Sequence, residues 1–189
     1  MPTFTRAELQ SFRGVEVPDL VGPGLRLLFV GINPGLWTAA TQTHFAHPVN
    51  RFYPALHAAG ITPAPIDPGA GMTGADRAMM VERGIGITNL VRRATARADE
   101  LTREELRAGG EQLAAFVATH QPRVVAIAGI TAYRVAFAVP KARTGRQPAD
   151  LAGAELWVVP NPSGLNAHET VASLATAYAA PAVAAGVLG

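Results

Sequence analysis

The chain has 189 residues, of which 49% are hydrophobic and 16% are charged, and its formal net charge at pH 7 is +2. This composition is that of a globular protein with enough residues for a sizeable core, and it excludes a disordered chain. The absence of cysteine excludes disulfides, thiol nucleophiles, iron–sulfur clusters and cysteine-ligated zinc.

Short apolar runs alternate with segments of helical spacing along the chain. In chain order, we predict a helix at Thr5–Phe12, a strand at Leu25–Val30, helices at Asn50–Ala59 and Asp76–Arg83, a strand at Gly84–Val91, a helix at Thr102–His120, a strand at Arg123–Ala128, a helix at Thr131–Val139, a strand at Leu156–Val159 and a helix at Asn166–Ala180. We expect loops at 61–74 and, with a basic character, at 140–148. Alternating strands and helices predict an α/β fold in one domain, 1–189: a three-layer α/β/α sandwich around a mainly parallel four-stranded sheet.

Capping signals predict where two of these helices begin. Thr102 and Glu105 have the spacing of a capping box, with Thr102 as the N-cap residue. The helix that they open is expected to run to about His120, apart from the pair Gly109–Gly110. Asn166–Glu169 resembles a second capping box, which would open an alanine-rich helix.

Two polar loops follow predicted strands near opposite ends of the chain. Gly31-Ile32-Asn33-Pro34-Gly35 follows the first strand, and Asn161-Pro162-Ser163-Gly164-Leu165-Asn166 follows the fourth. If these strands are parallel neighbours, both loops leave the sheet at the edge where ligands bind in open α/β folds. We therefore expect Asn33 and Asn161 to face each other across one cleft.

Each of these features also has a simpler interpretation. Asn-Pro-Gly is an ordinary turn, and the first loop lacks the glycine-rich phosphate fingerprint and the Walker lysine. Leu165 could enter a duplex as a wedge between bases or pack back onto the core. Phe45 could stack on a base or belong to the core. His44 and His47 could bind a metal, but no third ligand is nearby, so no metal site is expected.

Arginine content and hydropathy bear on partners and location. Of the 16 basic residues, Lys141 is the single lysine. Arginine suits contact with phosphate, but a GC-rich genome also favours arginine, so the charge alone does not predict DNA binding. No apolar run approaches the roughly 20 residues of a membrane span, and the polar segment 1–20 does not have the features of a signal peptide. We expect a cytoplasmic protein.

Three segments of the chain, Gly31–Leu36, Phe45–Pro48 and Asn161–Leu165, resemble the signature segments of the mismatch-specific uracil-DNA glycosylases. These enzymes are bacterial relatives of thymine-DNA glycosylase in the uracil-DNA glycosylase superfamily. The resemblance covers about residues 25–180 and continues through the segments that separate the signatures, namely Asn50–Phe52, Gly86–Arg93, Glu105–Gly110 and Gln121–Ala128.

This resemblance implies a uracil-DNA glycosylase-like fold and a monofunctional glycosylase that needs no cofactor. Such an enzyme would flip uracil, or another altered pyrimidine, out of mismatched duplex DNA, especially opposite guanine. Water would then attack C1′ of the flipped nucleotide in a step of base-excision repair. The expected partner is therefore double-stranded DNA, with no membrane, and the expected state is a monomer. The alternative is a non-catalytic nucleic-acid-binding α/β domain.

The resemblance also implies roles for individual residues. Asn33 would orient the attacking water, and Asn161 would stabilise charge on the leaving base. The residues expected to bind the base are Ile32, Thr38 and Phe45. The residues expected to contact DNA are Pro162, Ser163, Gly164, Leu165 and Asn166, with Leu165 as the wedge that fills the space of the flipped nucleotide.

The chain departs from the family pattern in three places. Asn166–Ala167 stands where relatives often carry Ser-Arg, and Arg92 stands where they tend to carry an acidic residue. Trp37 lies beside the catalytic loop and could narrow the pocket. If a carboxylate assists the chemistry, it must come from elsewhere, and Asp99 is the nearest later candidate in the sequence.

Overall fold

A computed structural model of the chain describes residues 4–189, so the first three residues of the polar segment 1–20 lie outside it. The α-helices in this range are α1 (Arg6–Ser11), α2 (Leu36–Thr41), α3 (Phe52–Ala58), α4 (Gly74–Glu82), α5 (Arg103–His120), α6 (Ile130–Ala136) and α7 (Val171–Ala184). The strands are β1 (Leu27–Gly31), β2 (Ile85–Asn89), β3 (Val124–Ala128), β4 (Gly145–Arg146) and β5 (Glu155–Val159). A short 3-10 helix, Ala98–Glu100, precedes α5. Between residues 4 and 189, no helix is long and apolar enough to cross a membrane.

The strands form one sheet in the order β2-β1-β3-β5-β4. β1 pairs in parallel with β2 and β3, and β3 pairs in parallel with β5, which confirms the predicted α/β fold with a mainly parallel sheet. The predicted count of four strands is one too few, because β4 pairs antiparallel with β5 at the edge. β4 lies inside the predicted loop 140–148, and its two residues are too few to show a periodic pattern.

Apolar side chains cover both faces of the sheet and produce three layers. Along β1, Leu27 and Phe29 face a cluster that includes residues of α3, α4 and α7. Leu28 and Val30 face the other cluster, to which α5 and α6 contribute. Because both faces are buried, β1 is continuously apolar rather than alternating.

Helix α5 begins as predicted but does not break at its glycines. Thr102 is the N-cap residue, and its capping box with Glu105 is present. A Cβ at Gly109 would lie 2.3 Å from the carbonyl oxygen of Leu90, and one at Gly110 would lie 2.9 Å from that of Ala136. The two glycines therefore let the unbroken helix approach the backbone after β2 and that of α6.

Helix α7 begins later than predicted. Its N-cap residue is Thr170, which forms a capping box with Ser173. The box predicted at Asn166–Glu169 is wrong, because the Arg51 guanidinium binds the carbonyls of Asn166 and Glu169. The residues from Asn161 to Thr170 instead form a loop without regular structure.

Candidate active site

A cleft of about 610 Å³ opens where the parallel strands end. Its lining includes Ile32 and Asn33 after β1, Asn89 and Ala128 at the ends of β2 and β3, and Asn161 after β5. Asn33 and Asn161 thus belong to the same cleft, and the predicted convergence of their two loops is confirmed. The two strands are not neighbours as the prediction supposed, because β3 lies between them. Both pair in parallel with β3, so β1 and β5 still have their carboxyl ends on the same side of the sheet.

Asparagine dominates the polar lining of this cleft. The chain contains five asparagines, and all of them line it: Asn33, Asn50, Asn89, Asn161 and Asn166. Within the described residues, Asp99 is the single carboxylate in the lining, and no lysine contributes. The chemistry of the cleft therefore depends on which end of each amide is left free.

The Asn33 side chain is anchored through its nitrogen. Nδ2 donates to Thr95 Oγ1 at 2.7 Å and to the Arg93 carbonyl at 3.1 Å. The Thr95 hydroxyl donates to the Arg97 carbonyl at 2.7 Å, so its oxygen is free to accept from Asn33. Because a carbonyl can only accept, these contacts fix the orientation of the amide. No residue in the range 4–189 donates to Asn33 Oδ1, which remains available as an acceptor.

The Asn161 side chain is anchored through its oxygen. Oδ1 accepts from the Ser163 backbone N–H at 3.0 Å, as in an Asx turn. The Asn161 backbone carbonyl accepts from Asn166 Nδ2 at 3.1 Å. In the part of the chain that the structure describes, Nδ2 of Asn161 has no acceptor. The cleft therefore contains a free amide acceptor on Asn33 and a free amide donor on Asn161.

Phe45 belongs to the core and to the cleft at once. Its ring is half-buried, lines the cleft and stacks on Phe52 with the ring centroids 4.1 Å apart. Its backbone has a φ of 55°, which is uncommon for a residue other than glycine. A Cβ at Gly31 would lie 3.2 Å from Phe45 Cζ and 2.4 Å from Asn89 Oδ1, so a side chain at this position would displace the Asn89 amide.

Asn89 is a cleft residue that the sequence analysis did not single out. Its Nδ2 lies 3.0 Å from His44 Nδ1, and His44 Nε2 lies 3.0 Å from the Pro18 carbonyl. Since that carbonyl accepts, Nε2 carries the proton and Nδ1 accepts from Asn89. Burial lowers the pKa of His44, which favours this neutral form. Asn89 Oδ1 has no donor among the residues described. The signal was a polar residue ending a buried strand at the ligand edge.

The two histidines considered as metal ligands lie in different surroundings. His44 is buried and holds Asn89, whereas His47 lies on the cleft rim, where partial burial lowers its pKa. Within residues 4–189, no group of three His, Asp or Glu side chains could hold a metal ion.

The remaining predicted residues lie on the cleft, with one exception. Ile32, Thr38, Ser163, Gly164, Leu165 and Asn166 line it. Leu165 is 89% exposed, so the alternative that it packs onto the core is wrong. Pro162 is buried and absent from the lining, and its carbonyl accepts from the Arg51 N–H. The roles of these residues toward DNA stay predictions.

Three residues noted as departures or candidates have partners of their own. Asp99 lies at the cleft mouth, where its carboxylate accepts from Arg97 Nε at 3.1 Å and Nη2 at 2.6 Å. Arg92 pairs with Asp19. Trp37 donates to the Gly69 carbonyl at 3.3 Å and is not among the lining residues of the cleft.

Comparison with known proteins places this geometry in a family. The family model of the Uracil DNA glycosylase superfamily matches residues 18–180, which include every residue of the cleft. Among solved structures, the chain is similar to the solution NMR structure of a "putative Uracil DNA glycosylase" from Methanosarcina acetivorans. That match covers 92% of this chain and 98% of that one, with a TM-score of 0.59 and 15% sequence identity, and it shows the likeness of fold.

Proposed function

Because the chain belongs to the uracil-DNA glycosylase superfamily, we propose that it is a monofunctional DNA glycosylase that excises uracil from mismatched duplex DNA, above all opposite guanine. Membership of the superfamily supports the coarser activity, hydrolysis of an N-glycosidic bond in DNA. The mismatch preference, the acceptance of other altered pyrimidines, and action as a cytoplasmic monomer in base-excision repair are part of the proposal.

The observation that carries the proposal is a pair of amides in one cleft, one anchored through its nitrogen and the other through its oxygen. Cleavage of a glycosidic bond builds positive charge on the sugar and negative charge on the departing base. Fixed dipoles that meet these charges lower the barrier. Asn33 Oδ1, left free because Thr95 and Arg93 bind the amide nitrogen, suits a water that attacks C1′. Asn161 Nδ2, left free by the Asx turn, suits a carbonyl oxygen of the leaving base.

Among residues 4–189, the one carboxylate in the cleft lining is paired with an arginine, and this supports a preference for mismatches. A neutral amide can orient a water but cannot take its proton at neutral pH. Asp99, the acidic residue of the lining, is at the mouth and is paired with Arg97. Such an enzyme is slow and depends on a base that leaves readily and is already weakly paired, because extrusion costs least where pairing is weak.

The polar group next to Phe45 supports uracil as the base. Uracil carries an N3–H donor, whereas the neutral cytosine ring has an acceptor at the same position. Asn89 Oδ1 is an acceptor whose orientation is set by His44, and it lies beside the Phe45 ring across Gly31. A base stacked on Phe45 could donate N3–H to Asn89, and cytosine could not.

The proposal is tested by release of free uracil. The purified protein is incubated with duplexes that carry G·U or A·U and with single-stranded DNA that carries U, and Asn33→Ala is run in parallel. We expect multiple-turnover release, fastest from G·U. Loss of one such catalytic group typically costs a factor of about 10² to 10³, so Asn33→Ala should lose about that much turnover while binding to the duplex persists. Binding without release by the wild-type protein would favour the non-catalytic alternative.

A further inference from the structure

Leu165 is exposed in a segment that has no regular structure of its own. Its side chain is 89% exposed, so contacts with the rest of the protein do little to position it. The loop from Asn161 to Thr170 contains no helix or strand. The place of the Leu165 side chain is therefore set by whatever holds the backbone of this loop.

Arg51 makes four hydrogen bonds to the backbone of this loop, in addition to those that the loop forms within itself. Its Nη1 donates to the carbonyls of Asn166 at 3.0 Å and Glu169 at 2.6 Å, and its Nη2 donates to that of Gly164 at 3.3 Å. Its own N–H donates to the Pro162 carbonyl at 3.0 Å. The carbonyls of Gly164 and Asn166 bracket Leu165 in the chain, so the guanidinium fixes the backbone on both sides of it.

The guanidinium group is suited to this task. Among residues 4–189, no carboxylate forms an ion pair with Arg51. Arginine offers five donors in a rigid fork, whereas lysine offers a single flexible ammonium group. The carbonyls of an irregular loop lack the partners that a helix or sheet supplies, and one side chain satisfies three of them here.

We infer that Arg51 is a positioning residue that presents Leu165 to the DNA duplex. The inference rests on the proposed function, in which Leu165 enters the base stack when a nucleotide is extruded. A wedge that is already in position avoids the ordering cost that a mobile loop bears on binding. If only a fraction of the molecules has the loop conformation that presents Leu165, the apparent affinity for the duplex is reduced to that fraction. Arg51 would thus act through Leu165, not by touching the reacting atoms.

The test compares uracil release from duplex and single-stranded DNA, because only the duplex contains a paired stack for the wedge to enter. We expect Arg51→Gln to lower duplex turnover about tenfold and single-strand turnover by less than about threefold, with Arg51→Lys between wild type and Arg51→Gln. In a Leu165→Ala background, Arg51→Gln should add less than about a twofold loss, since the two residues act as one unit.

A matched control separates positioning from general stability. Arg26 is half-buried like Arg51 and also donates to two backbone carbonyls, those of Gly186 and Arg83. It precedes β1 and so lies at the opposite end of the sheet from the cleft. Arg26→Gln should lower the melting temperature without changing the ratio of duplex to single-strand turnover. The inference would be overturned if Arg51→Gln lowered turnover equally on duplex and single-stranded DNA. It would also be overturned if Arg51→Gln lowered duplex turnover by a further factor of about ten in the Leu165→Ala background.

Hydrogen exchange tests the structural part without any substrate. The amides of Ser163 and Asn166 are hydrogen-bonded inside the loop, and in Arg51→Gln they should exchange at least about tenfold faster while amides of β1 stay protected. Unchanged exchange rates of these amides would refute the inference that Arg51 holds the loop in place. If the wild-type protein releases no uracil from either substrate, the proposed function fails, and the exchange result still decides whether Arg51 holds the loop.

Discussion

The substitution Thr95→Val weakens the contacts that orient the Asn33 amide but keeps the amide itself, so it tests the role of the orientation. Thr95 is 1% exposed, and its hydroxyl accepts from Asn33 Nδ2 and donates to the Arg97 carbonyl, both at 2.7 Å. Valine has nearly the same shape but makes neither bond. Each lost bond should cost about 1 kcal/mol, so we expect about 2 kcal/mol of stability to be lost. Asn33 keeps its bond to Arg93, so the amide should be loosened rather than released.

The assay is single-turnover release of uracil at saturating enzyme, together with thermal unfolding. If loosening the amide raises the barrier by about 1.4 kcal/mol, the rate falls about tenfold, while duplex affinity should stay unchanged. Thr62→Val is the matched control, because Thr62 is also 1% exposed and lies outside the cleft lining, and its hydroxyl has no hydrogen-bond partner among residues 4–189. A folded Thr95→Val protein with the wild-type rate would refute this account of Asn33.

Three further predictions concern the wedge, the base pocket and pH. Leu165→Ala should lower uracil release from G·U duplex about tenfold and from single strands by less than about threefold, because only the duplex resists extrusion; equal losses would exclude a wedge. Gly31→Ala should lower turnover at least about tenfold, since its Cβ would lie 2.4 Å from Asn89 Oδ1. Gly74→Ala, where a Cβ meets open space, should have no such effect. Burial lowers the pKa of His44 in the folded protein. Below about pH 6.5 the unfolded chain therefore binds more protons than the folded protein does, and the free energy of unfolding should decrease as the pH is lowered. His44→Gln should flatten that dependence, and an unchanged slope would contradict it.

The sequence could predict the elements whose signals are local. Apolar runs predicted β1, β3 and most of β5, because side chains on both faces of the sheet are buried. The capping box at Thr102 and Glu105 was correct because its hydrogen bonds join residues three apart. At Asn166 the same type of pattern failed, because Arg51, 115 residues earlier in the chain, binds the carbonyl that a helix would have used. Strand β4 was not predicted, because its two residues are identified as a strand by their pairing with β5 and are too few to show a periodic pattern.

The sequence could also predict where the site lies, but not how its groups are oriented. The strand-end rule brought Asn33 and Asn161 to one cleft, and applied to β2 it would have found Asn89 too. Which end of the Asn33 amide is free depends on Thr95, 62 residues later in the chain. For Asn161 the anchor is Ser163, two residues away, so the Asn-Pro-Ser sequence already contained that information.

The five asparagines together explain why anchoring matters so much in this cleft. A carboxylate offers only acceptors, whereas an amide offers an acceptor at one end and a donor at the other, so a rotation of 180° reverses what it presents. Here Asn33 and Asn89 are held through nitrogen, and Asn161 is held through oxygen. The same residue type thus supplies acceptors toward the proposed water and base N3–H, and a donor toward the base carbonyl. A cleft of this kind gains selectivity from neighbours that never touch DNA. Thr95 and His44 are therefore the positions where a single buried substitution should change catalysis or base choice without removing a contact residue.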